Sequence, residues 1–239
     1  MLVNEVINND INEGPNDPHI FKAIFLAGGP GSGKGFVVKN LMGGSSTGLR
    51  VVNSDDVYEK LASIAKPVPL DLKDPEVVAS PQGQEAREKA KRLTQLRQEN
   101  YLDGRLGLII DGTAKDVEKT HRQKKKLEEL GYDTMMIFVN TNMEVAQQRN
   151  RKRARQLPDE MVMKMWHSVQ DNLMKFQQLF GNQHFYLVDN SGGLEDPDRK
   201  ENFETVEKAI KRFINSPPRK PQAKSWLTDK RSQTDKRSQ

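Results

Sequence analysis

Cysteine is missing from all 239 residues. Its absence excludes disulfides, a thiolate metal site and a cysteine nucleophile. Aromatic residues are scarce at 6% of the chain, and the two tryptophans, Trp166 and Trp226, are isolated. No aromatic run offers the stacking platform that single-stranded nucleic acid uses. Long apolar runs are lacking as well; none approaches the ~20 residues that span a bilayer, so no membrane partner is expected. The first eighteen residues, MLVNEVINNDINEGPNDP, hold four acidic residues and no lysine or arginine. That pattern is unlike a secretory or transit peptide, and with the missing cysteine it fits a cytoplasmic location.

What is present is polar: 30% charged and 35% hydrophobic residues, the composition of a soluble globular protein. The net charge of +5 is unevenly spread, because residues 216–239 hold seven Lys/Arg against two Asp. That segment alone accounts for a surplus equal to the whole, so global charge says little about nucleic acid. Three regions are expected: a flexible lead-in over 1–18, a single folded domain over 19–215, and a basic disordered tail over 216–239. The tail's TDKRSQTDKRSQ is a tandem repeat too short and polar for a solenoid unit.

Within the domain, short apolar runs alternate with helical periodicity. IFKAIFLAG (20–28), LRVVNSDD (49–56), LGLIIDGT (106–113), YDTMMIFVN (132–140) and HFYLVDN (184–190) read as five strands. Helices are expected after the first glycines, from near Asp55, over 84–102, up to Gly131, through Arg155, from Pro158 to about Phe180, and over 203–214. This alternation predicts an α/β fold, a doubly wound parallel five-stranded sheet with helices on both faces. KPVPLDLKDPEVVASPQG (66–83) is Pro-rich and reads as a surface loop. The strand at 49–56 is expected beside the first strand.

Gly28, Gly29, Pro30, Gly31, Ser32, Gly33 and Lys34 form a phosphate-binding loop between a strand and a helix. Glycines let backbone N–H groups face phosphate oxygens, and the helix N-terminus favours the anion. Lys34 adds a cation for the terminal phosphates of ATP. Gly35 stands where a Ser or Thr hydroxyl normally ligates Mg²⁺, so phosphates, waters and nearby carboxylates are left to hold the metal. Asp55 and Asp56 follow the second strand, where a carboxylate can accept the proton of an attacking hydroxyl. Either could instead cap the helix, as could Asn53. Asp111 and Thr113 end the third strand, the place of a carboxylate that orders the Mg²⁺ water shell, or of a turn. Arg149, Arg151, Lys152, Arg153 and Arg155 form a basic run that reads as an arginine-bearing lid helix or a solvated face. At helical spacing Arg149 and Arg153 share one side of it.

Together these segments resemble the kinase domain of phage polynucleotide kinase and its relatives, including zeta toxins. GGPGSGKG is also similar to nucleoside monophosphate kinases of the adenylate kinase type, which carry Gly after the lysine. The resemblance covers about residues 20–190 and implies a P-loop NTPase fold and ATP-dependent phosphorylation of a hydroxyl. It implies Asp55 as general base, Lys34 on the phosphates, and Arg149 and Arg153 as the lid arginines. It also places the loop at Asp189–Ser191, with Asn190, near the nucleotide. The pattern has an arginine three residues after the base, where this chain has Tyr58. A polynucleotide acceptor, a 5′-OH or a hydroxymethylated base, is the first expectation. A nucleotide sugar or nucleoside monophosphate is the alternative, and a P-loop module that transfers nothing is the third.

Overall fold

The computed structural model describes Pro15 and residues 19–41, 48–112, 114–153, 156–192 and 196–237. The expectations for the lead-in, for Thr113 and for Arg155 lie outside these residues. Five parallel strands form one sheet: β1 (Lys22–Ala27), β2 (Arg50–Val52), β3 (Leu108–Asp111), β4 (Asp133–Asn140) and β5 (Phe185–Asp189). Their order is β2-β3-β1-β4-β5. β3 therefore separates β2 from β1, contrary to the expectation that they are neighbours. The physical reason is burial. Leu108, Ile109 and Ile110 are enclosed on both faces, whereas β2 is three residues long with Val51 exposed, as suits an edge.

Helices cover both faces. On one side lie α1 (Lys34–Leu41) and α8 (Pro197–Asn215). They bury Val37, Leu41, Val206, Ile210 and Phe213 against Ile24, Leu26 and Ile137. The other side carries α4 (Pro81–Asp103), α5 (Val117–Glu129), α7 (Asp159–Phe180) and α9 (Pro221–Arg237). There Leu102, Leu127, Phe176, Phe180 and Ala223 close over Phe25, Ile110 and Phe138. α2 (Ser54–Ser63) packs Val57 and Tyr58 onto Ala90 of α4, and α6 (Met143–Arg151) precedes α7. The doubly wound sheet is the P-loop NTPase arrangement. Among the described residues no helix is long and apolar enough to cross a membrane.

Three departures from the sequence expectations have local causes. Within 66–83, Asp74 caps a short helix, α3 (Pro75–Ala79), and Ser80 caps α4, each with proline in the first turn. The arginine helix ends at Arg151 rather than Arg155. The N–H groups of Lys152 and Arg153 bond three residues back, and Asn150 turns its amide to both the N–H and C=O of Leu157. This side chain competes with the next helical turn.

The third departure is the tail, which is helical over Pro221–Arg237 where disorder is expected. Trp226 meets Phe21 edge-on at 5.5 Å between ring centroids, and Ala223 lies buried against Gly131. Just before α9, Arg219 donates its backbone N–H to Asp133 Oδ2 at 3.2 Å. Asp133 also accepts from Lys22 Nζ at 2.8 Å, and both side chains of that ion pair are 1% exposed. A few apolar residues and one buried charge pair thus anchor a segment that is otherwise polar.

Candidate functional site

β1 and β3 are parallel neighbours, so the phosphate loop that follows β1 and Asp111 at the end of β3 lie at the same edge of the sheet. Positive backbone angles occur at Gly31 (φ 73°) and Gly33 (φ 89°), a region in which a side chain is strained. Space forbids a Cβ at both. At Gly31 it would stand 2.1 Å from the Ala146 carbonyl oxygen of α6, and at Gly33 2.1 Å from Asn190 Nδ2. The loop is therefore clasped between the arginine-bearing helix and the residue after β5. Gly28, Gly29 and Pro30 complete the turn, in which Ser32 N–H bonds the Gly29 carbonyl at 3.2 Å. Gly35 lies exposed at the start of α1, and nothing lies within 4 Å of a Cβ built there.

Lys34 donates to the Gly28 carbonyl at 2.9 Å and approaches Asp111 Oδ1 at 4.0 Å. Burial lowers the lysine's pKa, and the Asp111 carboxylate partly offsets this. Burial raises the Asp111 pKa, against the pull of Lys34. Asp111 Oδ1 is buried and has no hydrogen-bond partner, while Oδ2 accepts from Asn53 Nδ2 at 3.0 Å. The same amide nitrogen donates to Asp56 Oδ1 at 3.1 Å, and Asn53 Oδ1 caps α2 by accepting from the Asp55 N–H at 2.8 Å. Asn53 thus ties the two-aspartate segment to β3, and Asp55 faces the same field from the first turn of α2. Sequence reasoning sees Asn53 only as a cap; its bridge to Asp111 needs the order in which β2 lies against β3.

The raised Asp111 pKa has a signed consequence. At neutral pH the folded chain holds a carboxylate that would be protonated more readily there than in the unfolded state, which costs stability. Asp111→Asn should therefore melt at a higher temperature than the unsubstituted chain without nucleotide at pH 7. The difference should shrink as pH falls through the raised folded value and vanish below the ordinary carboxylate range. Thermal melts across pH in the absence of metal and nucleotide check this.

The basic run divides. Arg149 reaches inward: its buried Nη1 has no hydrogen-bond partner and lies 3.5 Å from where a Gly33 Cβ would be. Desolvation, then the charge of Arg199, lowers its pKa. Arg151 points away and pairs with Asp159 at the surface. Arg153 lies past the helix end and is exposed, so the shared helical side expected for Arg149 and Arg153 does not form. Asn190 is 2% exposed, donating to the Ser32 carbonyl and accepting from Arg199 Nη2, both at 2.8 Å. Arg199 and Asn53 are the members of this constellation that the motifs do not announce. Tyr58 is 1% exposed in the α2–α4 packing, with the Arg87 guanidinium 5.4 Å over its ring.

Beyond Asp111, a cavity of about 500 Å³ runs between α4 and α5. Ser54, Thr94, Gln95, Gln98, Thr120 and Gln123 supply hydroxyl and amide groups, and Lys91, Lys115 and Lys119 supply charge. Asp111 lines this cavity and approaches Lys34 of the phosphate loop, so a phosphate donor and a polar acceptor can be held with a carboxylate between them. For Mg²⁺ the residues fit: the buried Asp111 Oδ1 has an open coordination valence, although no cluster of three carboxylate or imidazole side chains exists among the described residues. One carboxylate with waters and phosphates is the usual magnesium arrangement.

The family model described as Zeta toxin matches residues 7–201. Among curated proteins, none matches the chain in sequence. Among solved structures, the chain is similar to one from the PezAT chromosomal toxin–antitoxin system of Streptococcus pneumoniae, with 16% identity and a TM-score of 0.55 over 81% of this chain and 87% of that one. It is similar to a chain of the AvrRxo1-ORF1:AvrRxo1-ORF2 complex with sulphate ions, at 14% identity and a TM-score of 0.54, covering 87% and 76%. In that complex with ATP the figures are 12%, 0.52, 87% and 76%. At such identities the likeness is one of fold.

Proposed function

The chain belongs to the Zeta toxin family of P-loop phosphotransferases, and from that premise we propose that it transfers the γ-phosphate of ATP to a hydroxyl of a small polar acceptor. The observation that carries this reading is the cavity between α4 and α5, which meets the phosphate loop at Asp111 and has the volume of a small-molecule site. The 28–35 backbone and Lys34 hold the phosphates. Asp55 takes the proton of the acceptor hydroxyl as its oxygen attacks the γ-phosphorus and the bond to the β–γ bridging oxygen breaks, releasing ADP. Arg149, with Arg153 from the turn beyond α6, stabilises the charge on the transferring group. Asp111 would hold Mg²⁺ through its water shell; bound there, the ion neutralises charge on the β- and γ-phosphates.

A polynucleotide acceptor is the second reading, favoured by the three lysines that line the cavity. Against it, Tyr58 is packed inward where the polynucleotide kinase pattern has an arginine, so it offers no cation to a nucleic acid backbone. Transfer of label from γ-labelled ATP distinguishes them. The acceptors are a nucleotide sugar, a nucleoside monophosphate, a 5′-hydroxyl oligonucleotide and a duplex with hydroxymethylated pyrimidines. Label on either small molecule supports the first reading, and label confined to an oligonucleotide or duplex replaces it with the second. ATP hydrolysis that no acceptor accelerates would overturn both.

The open space around Gly35 makes the missing hydroxyl testable. Gly35→Ser meets no neighbour and replaces glycine in a helix, so it should stabilise the chain by about 0.5 kcal/mol. It also restores the usual magnesium ligand. The Mg²⁺ concentration for half-maximal transfer should fall several-fold, as read from initial rates at saturating ATP.

A further inference from the structure

Arg199 is 8% exposed, yet no carboxylate pairs with it among the described residues. Its Nε is buried without a hydrogen-bond partner. Its guanidinium lies over an adjacent pair of rings, 5.3 Å from the Phe36 centroid and 4.9 Å from that of Phe203. Among the described residues its hydrogen bond goes to Asn190, which in turn holds the Ser32 carbonyl in the phosphate loop. A buried, uncompensated charge is costly, and a chain that keeps one has a use for it. Arg149, half-buried, stands nearby with a buried and unpartnered Nη1, and the two charges repel.

We infer that Arg199 is a positioning residue for the phosphate loop, whose unneutralised charge is reserved for the phosphate chain of the bound nucleotide. It works through Asn190: the guanidinium fixes the amide's orientation, and the amide fixes Ser32 and the strained turn at Gly33. The faces of Phe36 and Phe203 support the guanidinium where solvent does not. The repulsion of Arg149 and Arg199 is a standing cost to the fold, and a polyanion on the loop relieves it. Stability of the free chain is thereby exchanged for affinity.

The inference rests on the nucleotide reading of the loop, and the test separates the two. ATP and inorganic tripolyphosphate are titrated by calorimetry into the full chain, Arg199→Met and Arg199→Lys, with thermal melts in parallel. Methionine keeps an apolar stem against the rings and removes charge and donors. Arg199→Met should melt, without ligand, at or above the unsubstituted chain, yet bind both ligands at least tenfold more weakly and gain less from ATP on melting. Arg199→Lys, which keeps a charge and a donor but not the planar stack, should recover part of the affinity that Arg199→Met loses. A packing role alone predicts the reverse: a lower melting temperature without ligand, unchanged affinity, and no rescue by lysine. That result overturns the inference, as does a loss seen with ATP but not with tripolyphosphate, which would place Arg199 on the base. An unsubstituted chain that binds neither ligand would overturn the nucleotide reading and the inference together.

Discussion

Asp55→Asn should bind ATP as tightly as the unsubstituted chain and transfer its phosphate about a thousandfold more slowly. The substitution keeps shape and removes the carboxylate's charge and with it the ability to accept a proton. The cap of α2 survives, because it runs from the Asp55 backbone N–H to Asn53 Oδ1 and does not use the Asp55 side chain. The link from Asn53 to Asp56 and Asp111 is likewise untouched. Single-turnover transfer and equilibrium ATP binding, measured together, decide the matter. Equal loss of both would mean that Asp55 serves the nucleotide rather than the acceptor. Asp56→Asn is the matching control, and a larger loss there would move the base by one residue.

Arg149→Gln should cost transfer about three orders of magnitude, the range for an arginine that meets charge developing on a phosphoryl group. The side chain already reaches Gly33, and its inner nitrogen has no protein partner to lose, so the fold should tolerate the change. Removing one of two repelling guanidiniums should leave the free chain no less stable, which melting checks directly. Arg149→Lys should recover little, because a single ammonium does not reproduce a planar fork of donors. Arg151→Gln, by contrast, should leave kcat unchanged within about twofold, since that side chain pairs with Asp159 at the surface. A loss at Arg151 equal to that at Arg149 would show that the run acts as a bulk basic surface.

The five strands and the doubly wound class were legible because a parallel sheet buried on both faces leaves short apolar runs, and helices leave a different period between them. The phosphate loop announces itself by glycine spacing alone. Strand order was not legible: nothing local in Arg50–Val52 says that Leu108–Asp111 will slide between it and β1. The same gap hid Asn53, whose second bond exists only because β2 and β3 are neighbours. Arg199 was hidden for another reason. A lone arginine in DPDRKENF looks like any exposed helix residue until Phe36 and Phe203 are seen beneath it. The tail misled through its composition, because Ala223, Trp226 and Leu227 are few among many charges. Each lands on an apolar surface already present on the domain.

The central place of β1 sets a timetable. It is made before either neighbour, and its Lys22 must wait 111 residues for Asp133 to leave the ribosome. Until then, KAIFLA is an unpaired apolar strand with two free edges, the kind of segment that nascent chains lose to aggregation. Local pairing cannot protect it, since both partners arrive late in the chain. The last helix then closes over Phe21 at the foot of this first strand, through Trp226. Shortening the chain before Pro221 should therefore show first as poor recovery of newly made protein, ahead of any change in turnover by the molecules that do fold.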